Sequence, residues 1–387
     1  MKKLWKLISF DHLMVSLLTV LTGGLLTLVS INLTIFNPMK RAFQDFSMVD
    51  VYNEIMRGNG AVELNDEITL VDMTDLYDRS AIASLIKEVS ECNPKVLVID
   101  LIFERPGFDE NENAYLKNTL DSIPNSIIAC KLTDYDDEKK MFRHNISSFF
   151  YEPESATKLG FSNVVSGDGF NTIRKFTYQQ MYQGHTVYSL SYMAASMAQG
   201  VKPTPQLHNE RSISYSETDF PVVGHNDVAV NRKLIENRIV FIGTMNEEAD
   251  MHITPHGKMP GMKIQAYTTL SILNQKDLID APILWSILLM VVVCYFSAFA
   301  GVWIDRKFNL SKLYWLKFYY FVVAAVIGWI GFYCYSRFNY NFSLVYPLLG
   351  LALVETGRLE YKWIIIVLSK KKVNIVKKSV YYVPVDY

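Results

Sequence analysis

The sequence predicts an α/β domain, with a doubly wound, mostly parallel sheet and antiparallel additions, held between transmembrane α-helices. Long uncharged segments frame a polar region that covers residues 37–281. Within that region, short apolar runs typical of buried strands alternate with stripes typical of amphipathic helices. Half of the 387 residues are apolar, which is enough for one sizeable core as well as the membrane segments.

Four segments are predicted to cross a membrane, one before the polar region and three after it. Residues 13–36 and 282–304 contain no charged residue, and each exceeds the roughly 20 residues that span a bilayer as a helix. The first apolar run is longer than the core of a signal peptide, which favours an uncleaved anchor. The third predicted span is 314–336. The fourth, 341–357, is weaker because charged residues shorten it, and a re-entrant piece is the alternative.

The charge is divided unevenly along the chain and predicts its orientation. Residues 37–281 hold 23 Lys and Arg against 34 Asp and Glu, whereas the rest holds 15 against 5. Basic residues flank the apolar spans, which predicts a cytoplasmic N-terminus at residues 1–12 and a basic cytoplasmic tail at 358–387. The acidic region is then extracytoplasmic, and the chain is a multi-pass protein of a bacterial inner (cytoplasmic) membrane. An acidic domain also argues against a nucleic-acid partner.

The polar region reads as alternating strands and helices. Buried strands are predicted at 68–72, 96–103, 126–130 and 238–243, because each is a short and nearly continuous apolar run. Helices are predicted between them and after them, at 79–92, 112–120, 187–197 and 261–273. The first part follows a β-α-β-α-β order, which predicts right-handed crossovers and a doubly wound sheet. Residues 161–165 and 172–180 are predicted to form an antiparallel pair around the turn Gly167-Asp168-Gly169.

Acidic and hydroxyl side chains follow the carboxyl ends of the predicted strands. In open α/β sheets, ligands bind in the crevice at that edge. The cluster predicts a site for a small cationic ligand or for Ca²⁺ or Mg²⁺, which carboxylate oxygens bind. The alternative is structural: Asp72 and Asp100 cap helices and pair with Arg79 or Arg105. The predicted ligand-binding residues are Asp72, Asp75, Asp100, Glu104, Thr244 and Asp250.

No catalytic or cofactor signature appears in the chain. His252 and His256 have the spacing of a zinc pair, but Pro255 between them argues against the helix that such a pair needs. Neither a phosphate loop nor a hydrolase elbow is present, so the chain is predicted not to be an enzyme and to need no cofactor. Cys92 and Cys130 are expected at distant positions of a parallel sheet, which argues against a disulfide.

Four sequence blocks resemble a known family. They read ITLVDMTD with RSAIASLIKEV (68–75, 79–89), KVLVIDLIFERP with a later Asp109 (95–106), GFSNVVSGDGFNTIRKF (160–176) and RIVFIGTMNEEADMHITPHGKMPGMKIQAYTTLSIL (238–273). Together they resemble the type-two CHASE domain, the extracellular sensor of bacterial histidine kinases, nucleotide cyclases and serine/threonine kinases. The arrangement of one span before the domain and three after it is similar to that family as well.

The resemblance implies a membrane-anchored extracytoplasmic sensor or adaptor. No kinase or cyclase pattern follows the spans, so we expect a separate protein partner to supply the output, while the domain binds a ligand or an envelope partner. The alternative is a structural or assembly component of an envelope complex. Both hypotheses place the chain in the membrane, and they differ in whether ligand binding changes the protein.

Overall fold

The computed structural model describes residues 10–32, 63–152, 157–163, 172–215, 218–275, 279–308, 311–338, 340–370 and 379–381. Contacts divide the chain into two compact units. One consists of Met1–Tyr52 and Asp280–Tyr387, and the other of Asn53–Ile279. The first is called the helical unit below, and the second the α/β unit.

The α/β unit alternates strands with helices before it turns to antiparallel pairs. Its first half contains β1 (Ile68–Asp72), α2 (Arg79–Glu91), β2 (Val96–Ile99), α3 (Glu110–Asp121), β3 (Ser126–Asp136), β4 (Met141–Ile146) and β5 (Lys158–Phe161). The first helix of the chain, α1, belongs to the helical unit. Its second half contains β6 (Lys175–Thr177), β7 (Gln179–Tyr182), β8 (His185–Tyr188), α4 (Leu190–Ala198), β9 (Glu210–Ser212), β10 (Val222–Gly224), β11 (Ile239–Gly243), β12 (Met251–Thr254), β13 (Gly257–Pro260) and α5 (Gly261–Leu273).

The main sheet is mixed and is not doubly wound, which corrects the prediction. Its order is β10-β1-β11-β2-β3-β4-β7-β8, with β5 also paired to β3. The pairs from β10 to β3, and β3 with β5, are parallel, whereas β3–β4 and β7–β8 are antiparallel. β11 comes late in the chain yet lies between β1 and β2, where its five buried residues pair with a strand on each side. A β-α-β-α-β order alone does not reveal such an insertion.

Helices cover both faces of the parallel strands, and each strand divides its side chains between them. In β11, Ile239 and Phe241 belong to the core under α4 and α5, whereas Val240 and Ile242 belong to the core under α2 and α3. All four are almost fully buried. Because burying one such side chain stabilises a fold by about 1.5–3 kcal/mol, the two cores explain why these strands are continuously apolar.

Several predicted elements differ from the structure in position or pairing. The strand predicted at 96–103 ends at Ile99, and residues 185–188 form β8 where a helix was predicted to begin at 187. The predicted pair around 167–169 is not found between its described residues, 161–163 and 172–180. β5 pairs with β3, and β6 pairs with β9. The turn itself, Gly167-Asp168-Gly169, lies outside the described residues.

The two cysteines of the α/β unit are free thiols, as predicted. Cys92 packs with α2 and α3, and Cys130 belongs to a separate small cluster with Leu132 and Phe161. Burial raises the pKa of Cys130 to about 12, so its thiol stays protonated at neutral pH.

The helical unit contains α1 (Phe10–Asn32), α6 (Ile283–Lys307), α7 (Lys312–Phe338) and α8 (Val345–Lys370). The two-residue strand β14 (Ile279–Asp280) precedes α6, and β15 (Tyr340–Asn341) follows α7. Among the described residues, three helices are long and apolar enough to cross a membrane. These segments are Phe10–Leu28, Ile283–Lys307 and Leu313–Tyr335. The predicted fourth span is not among them, because α8 carries acidic and basic residues in its second half.

The segment predicted as a basic tail, 358–387, begins within α8. Residues as far as Lys370 belong to α8, and Arg358 is only 7% exposed. α8 packs against α1 and α6 through an apolar core that contains Val15, Cys294 and Val354. Arg358 pairs with Asp305 of α6 and with Glu355 of α8 itself, contacts that sequence patterning cannot show.

Candidate functional site

The α/β unit has a cavity of about 700 Å³ at the carboxyl ends of its parallel strands. Asp100 follows β2, Lys131 lies in β3, Asn163 follows β5 and Thr244 follows β11. The remaining wall comes from the loop before β12, from β12 itself and from the first turns of α5. This is the edge of an open α/β sheet where ligands usually bind.

Three of the six predicted residues line this cavity, namely Asp100, Thr244 and Asp250. The side chain of Asp100 has no hydrogen-bond partner among the described residues, although its backbone N–H donates to Ile242. Burial, and next the charge of Asp250, raise the pKa of Asp100 to about 7, while His252 opposes the shift. A carboxyl in this state favours the approach of a positive charge or a hydrogen-bond donor.

Asp250 connects the cavity to helix α5. Its Oδ2 accepts a hydrogen bond from the Gly261 N–H at 3.1 Å, and its Oδ1 lies 3.6 Å from Nε2 of His252. Pro260 precedes the helix and has no side chain that can cap it, so Asp250 satisfies a free N–H of the first turn from another loop. A charge at one wall of the cavity therefore also stabilises the start of α5.

The other three predicted residues do not line the cavity. Asp72 accepts hydrogen bonds from the backbone N–H groups of Thr74 at 2.9 Å and Met245 at 3.2 Å, so it fixes the loop after β11. Asp75 and Glu104 are exposed. For Asp72 the structural alternative describes its contacts better than the ligand hypothesis, although its partners are loop N–H groups and not an arginine.

Among the described residues, the arginines named in that alternative do not bind Asp72 or Asp100. Arg79 donates to the side-chain oxygen of Asn113 and to the backbone oxygen of Arg105, and it does not pair with Asp72 or Asp100. Helices α2 and α3 are capped instead by Asp78 and Asp109. Asp100 is thus left without the structural partner that the alternative assigned to it.

The cavity also contains polar residues that the sequence reasoning missed. Lys131 follows the apolar start of β3, so the strand-end rule applied to Asp100 would also have found it. Asn163 exchanges two hydrogen bonds of 2.8 Å with the backbone of Leu132 and fixes the loop after β5. Gln265 is buried in α5 and donates to the Ser162 carbonyl at 3.0 Å. No sequence pattern distinguishes Gln265 from its apolar neighbours in α5.

The geometry does not assemble a metal site. Among the residues that the structure describes, no group of three or more His, Cys, Asp or Glu side chains is placed to hold a metal ion. His252 faces the cavity, whereas His256 packs its ring against Tyr215. The Ca²⁺ or Mg²⁺ alternative therefore stays a prediction without a preformed ligand set.

Replacing Gly261 by alanine is expected to disturb both the cavity and the helix start. A Cβ at this position would lie 2.7 Å from Asp250 Oδ1 and 2.9 Å from Oδ2, so the carboxylate has to move off the Gly261 N–H. Loss of such a cap costs about 1 kcal/mol. The expected result is a lower thermal midpoint of the full chain in mild detergent. The control is Ala249→Gly in the same cavity wall. A second Gly→Ala substitution at Gly184 would not serve, because the positive φ of Gly184 makes alanine strained there.

An α/β domain with a strand-end cavity, in a chain with membrane-spanning helices, defines a membrane protein with a sizeable folded domain outside its spans. The family model described as the CHASE2 domain matches residues 17–301, which is more than half of the chain. The chain belongs to the CHASE2 family of sensor-type domains, and the resemblance inferred from its sequence blocks is confirmed. Neither the curated proteins nor the solved structures include a significant match.

Proposed function

We propose that this protein is an extracytoplasmic sensor whose cavity binds a small ligand that carries a positive charge. The observation that supports it most is the side chain of Asp100, which lines the cavity without a hydrogen-bond partner among the described residues. The proposed role of the cavity is ligand binding.

The charges of the cavity favour a cation over an anion. Asp100, Glu247 and Asp250 contribute carboxylates, and Lys131 is the lysine among the lining residues. Two of these carboxylates are close enough for Asp250 to raise the pKa of Asp100. A bound ammonium group would relieve that repulsion and would donate hydrogen bonds that Asp100 lacks. Of the open alternatives, an organic cation fits this arrangement better than a metal.

Asp250 offers a route from the cavity to the membrane. Its carboxylate faces the ligand space and also accepts the first N–H of α5, which ends at Leu273, shortly before α6 begins at Ile283. A ligand that attracts Asp250 competes with that cap and favours a different arrangement of the helix start. Binding transmits a signal only if it favours one arrangement over another, and this competition supplies such a difference. A separate protein partner that receives the signal stays a prediction of the sequence.

We also propose that α8 is a fourth span and that the α/β unit is outside the cytoplasmic membrane of a bacterium. α8 has 26 residues, packs along α1 and α6, and turns its arginine towards carboxylates of the helical unit. Charged residues inside a membrane protein commonly pair in this way. With four spans, both ends of the chain lie on the side where lysines and arginines flank the helices.

Titration of the purified full chain tests the ligand proposal. Putrescine serves as the cationic probe, succinate as the anionic control and Ca²⁺ as the metal alternative. Putrescine should bind. Below pH ~7, its affinity should increase by up to about tenfold for each unit by which the pH is raised, because Asp100 must release its proton first. Asp100→Asn should lose most of the affinity, whereas Asp75→Asn, at an exposed position outside the cavity, should keep it. Tighter binding of succinate, or equal binding by both variants, would refute the proposal.

Labelling of intact cells tests the orientation. A cysteine introduced at Phe108, which is fully exposed, should react with a membrane-impermeant maleimide, whereas one at Lys370 should react only after permeabilisation. Labelling of Lys370→Cys in intact cells would contradict the four-span topology. Stoichiometric co-purification with an envelope complex, together with no effect of Asp100→Asn on signalling, would favour the assembly alternative.

A further inference from the structure

The helical unit has a second cavity, of about 310 Å³, between the end of α6, the middle of α8 and the described residues of the C-terminal segment. It lies near the ends of the helices that carry lysines and arginines, which the charge distribution places at the cytoplasmic side. Its walls combine charged and apolar groups. The lining residues are Val302, Asp305, Arg306, Glu355, Arg358, Leu359, Lys362, Val380 and Tyr381.

Arg358 already neutralises the two carboxylates of this cavity. Its Nη2 lies 2.6 Å from Asp305 Oδ2, and its Nη1 lies 2.7 Å from Glu355 Oε1. The residue is 7% exposed, and its Nε has no hydrogen-bond partner among the residues that the structure describes. The guanidinium of Arg358 fits against α6 because residue 301 is glycine, and a Cβ at that residue would overlap it. The buried charge is therefore fixed in place, with one donor unused.

Two further cations line the same cavity and have no carboxylate partner in the described part of the chain. Arg306 and Lys362 are exposed, and no ion pair to either is found among the described residues. Three cations against two carboxylates leave the cavity with a positive excess. A phosphate group would satisfy this excess, because arginine and lysine are the side chains that bind phosphate oxygens.

Apolar groups at the cavity indicate that the phosphate belongs to a lipid. Val302 and Leu359 line the cavity beside the cations. The nearby Trp303 and Trp363 are 49% and 67% exposed. Tryptophan is enriched at the depth of the lipid headgroups, and basic pockets between spanning helices bind anionic headgroups. A free phosphate ion needs neither the apolar wall nor the aromatic residues.

The C-terminal segment closes one side of this cavity. The Val380 N–H donates to Asp11 Oδ2 at 2.6 Å, and the Tyr361 hydroxyl donates to Asp11 Oδ1 at 2.7 Å. Tyr381 packs its ring edge-on against Tyr361, with centroids 5.6 Å apart. We propose that the cavity between α6, α8 and residues 380–381 binds the phosphate of an anionic phospholipid, next to a C-terminal segment held by Asp11.

Native mass spectrometry of the full chain with added phosphatidylglycerol tests the proposal, with phosphatidylcholine as the neutral lipid. The variant is Arg306→Gln with Lys362→Gln. The matched control is Lys307→Gln, since Lys307 is the next residue of α6 but lies over the Trp303 ring and outside the cavity. Wild type and control should retain phosphatidylglycerol, and the double variant should lose affinity by about tenfold or more.

Three results would overturn the proposal. The first is equal phosphatidylglycerol binding by all three proteins, and the second is equal binding of both lipids to the wild type. The third is complete displacement of the lipid by millimolar inorganic phosphate, which would assign the cavity to a free anion. Because Arg306 and Lys362 are exposed, the double variant is expected to fold, and an unchanged thermal midpoint without lipid checks that. Failure of this test leaves the cation proposal for the α/β unit intact.

Discussion

Replacing Arg358 by methionine is expected to destabilise the helical unit by about 3 kcal/mol. The substitution keeps the apolar stem of the side chain but leaves Asp305 and Glu355 facing each other without a cation. Removal of one partner of a buried pair costs about 3–5 kcal/mol, and the low end applies because Asp305 and Glu355 are 45% and 38% exposed. The expected loss is large because Arg358 joins α8 to α6.

The measurement is the thermal midpoint of the full chain in mild detergent. The thermal midpoint of Arg358→Lys should lie between those of the wild type and Arg358→Met, because one ammonium cannot reproduce the two-sided geometry of a guanidinium. Arg337→Met, at an exposed arginine in the last turn of α7, is the control for loss of a charge. A midpoint for Arg358→Met that equals that of the Arg337→Met control would contradict the buried network.

Replacing Asp100 by asparagine is expected to stabilise the α/β unit by up to about 4 kcal/mol above pH ~7. The pKa of Asp100 is about 7 in the folded protein and near 4 in an unfolded chain, so the folded state binds the proton more tightly. The stability that this proton provides is complete below pH ~4 and is lost as pH rises to about 7. Asparagine stays neutral and avoids the loss.

The measurement is the unfolding midpoint of the full chain at several pH values. The wild type should lose stability between pH ~4 and ~7 relative to Asp100→Asn, and the two should converge at acid pH. Asp75→Asn should behave as the wild type, because Asp75 is exposed. If Asp100→Asn were less stable than the wild type near pH ~8, Asp100 would be a structural residue and not a vacant ligand contact.

Composition and periodicity predicted the local elements well and the sheet order poorly. The apolar run at 239–243 indicates a buried strand because both faces of β11 are covered. Its place between β1 and β2 depends on side-chain packing between segments far apart in sequence, and no local pattern records that. Local patterns also do not record the partners of the charged residues in α8, which include Asp305 of α6 and Tyr320 of α7.

The candidate site was predictable to the extent that it follows strand ends. Asp100 and Thr244 directly follow β2 and β11, and parallel strands bring their ends to one edge. Asp72 also follows a strand, but backbone N–H groups of nearby loops bind its carboxylate. Asp75 and Glu104 are a few residues further along, where the chain has already left that edge. Gln265 reaches the cavity from a helix, which a strand-based rule cannot identify.

The most direct test of the sensor proposal is to identify small molecules that accompany the protein from its own membrane. The full chain would be extracted with native lipid in polymer discs and denatured, and the released compounds would be compared by mass spectrometry with those from Asp100→Asn and Asp75→Asn. The account predicts a small basic compound that is released by the wild type and Asp75→Asn and is absent from Asp100→Asn. The same compounds from all three proteins would contradict a cation site at Asp100.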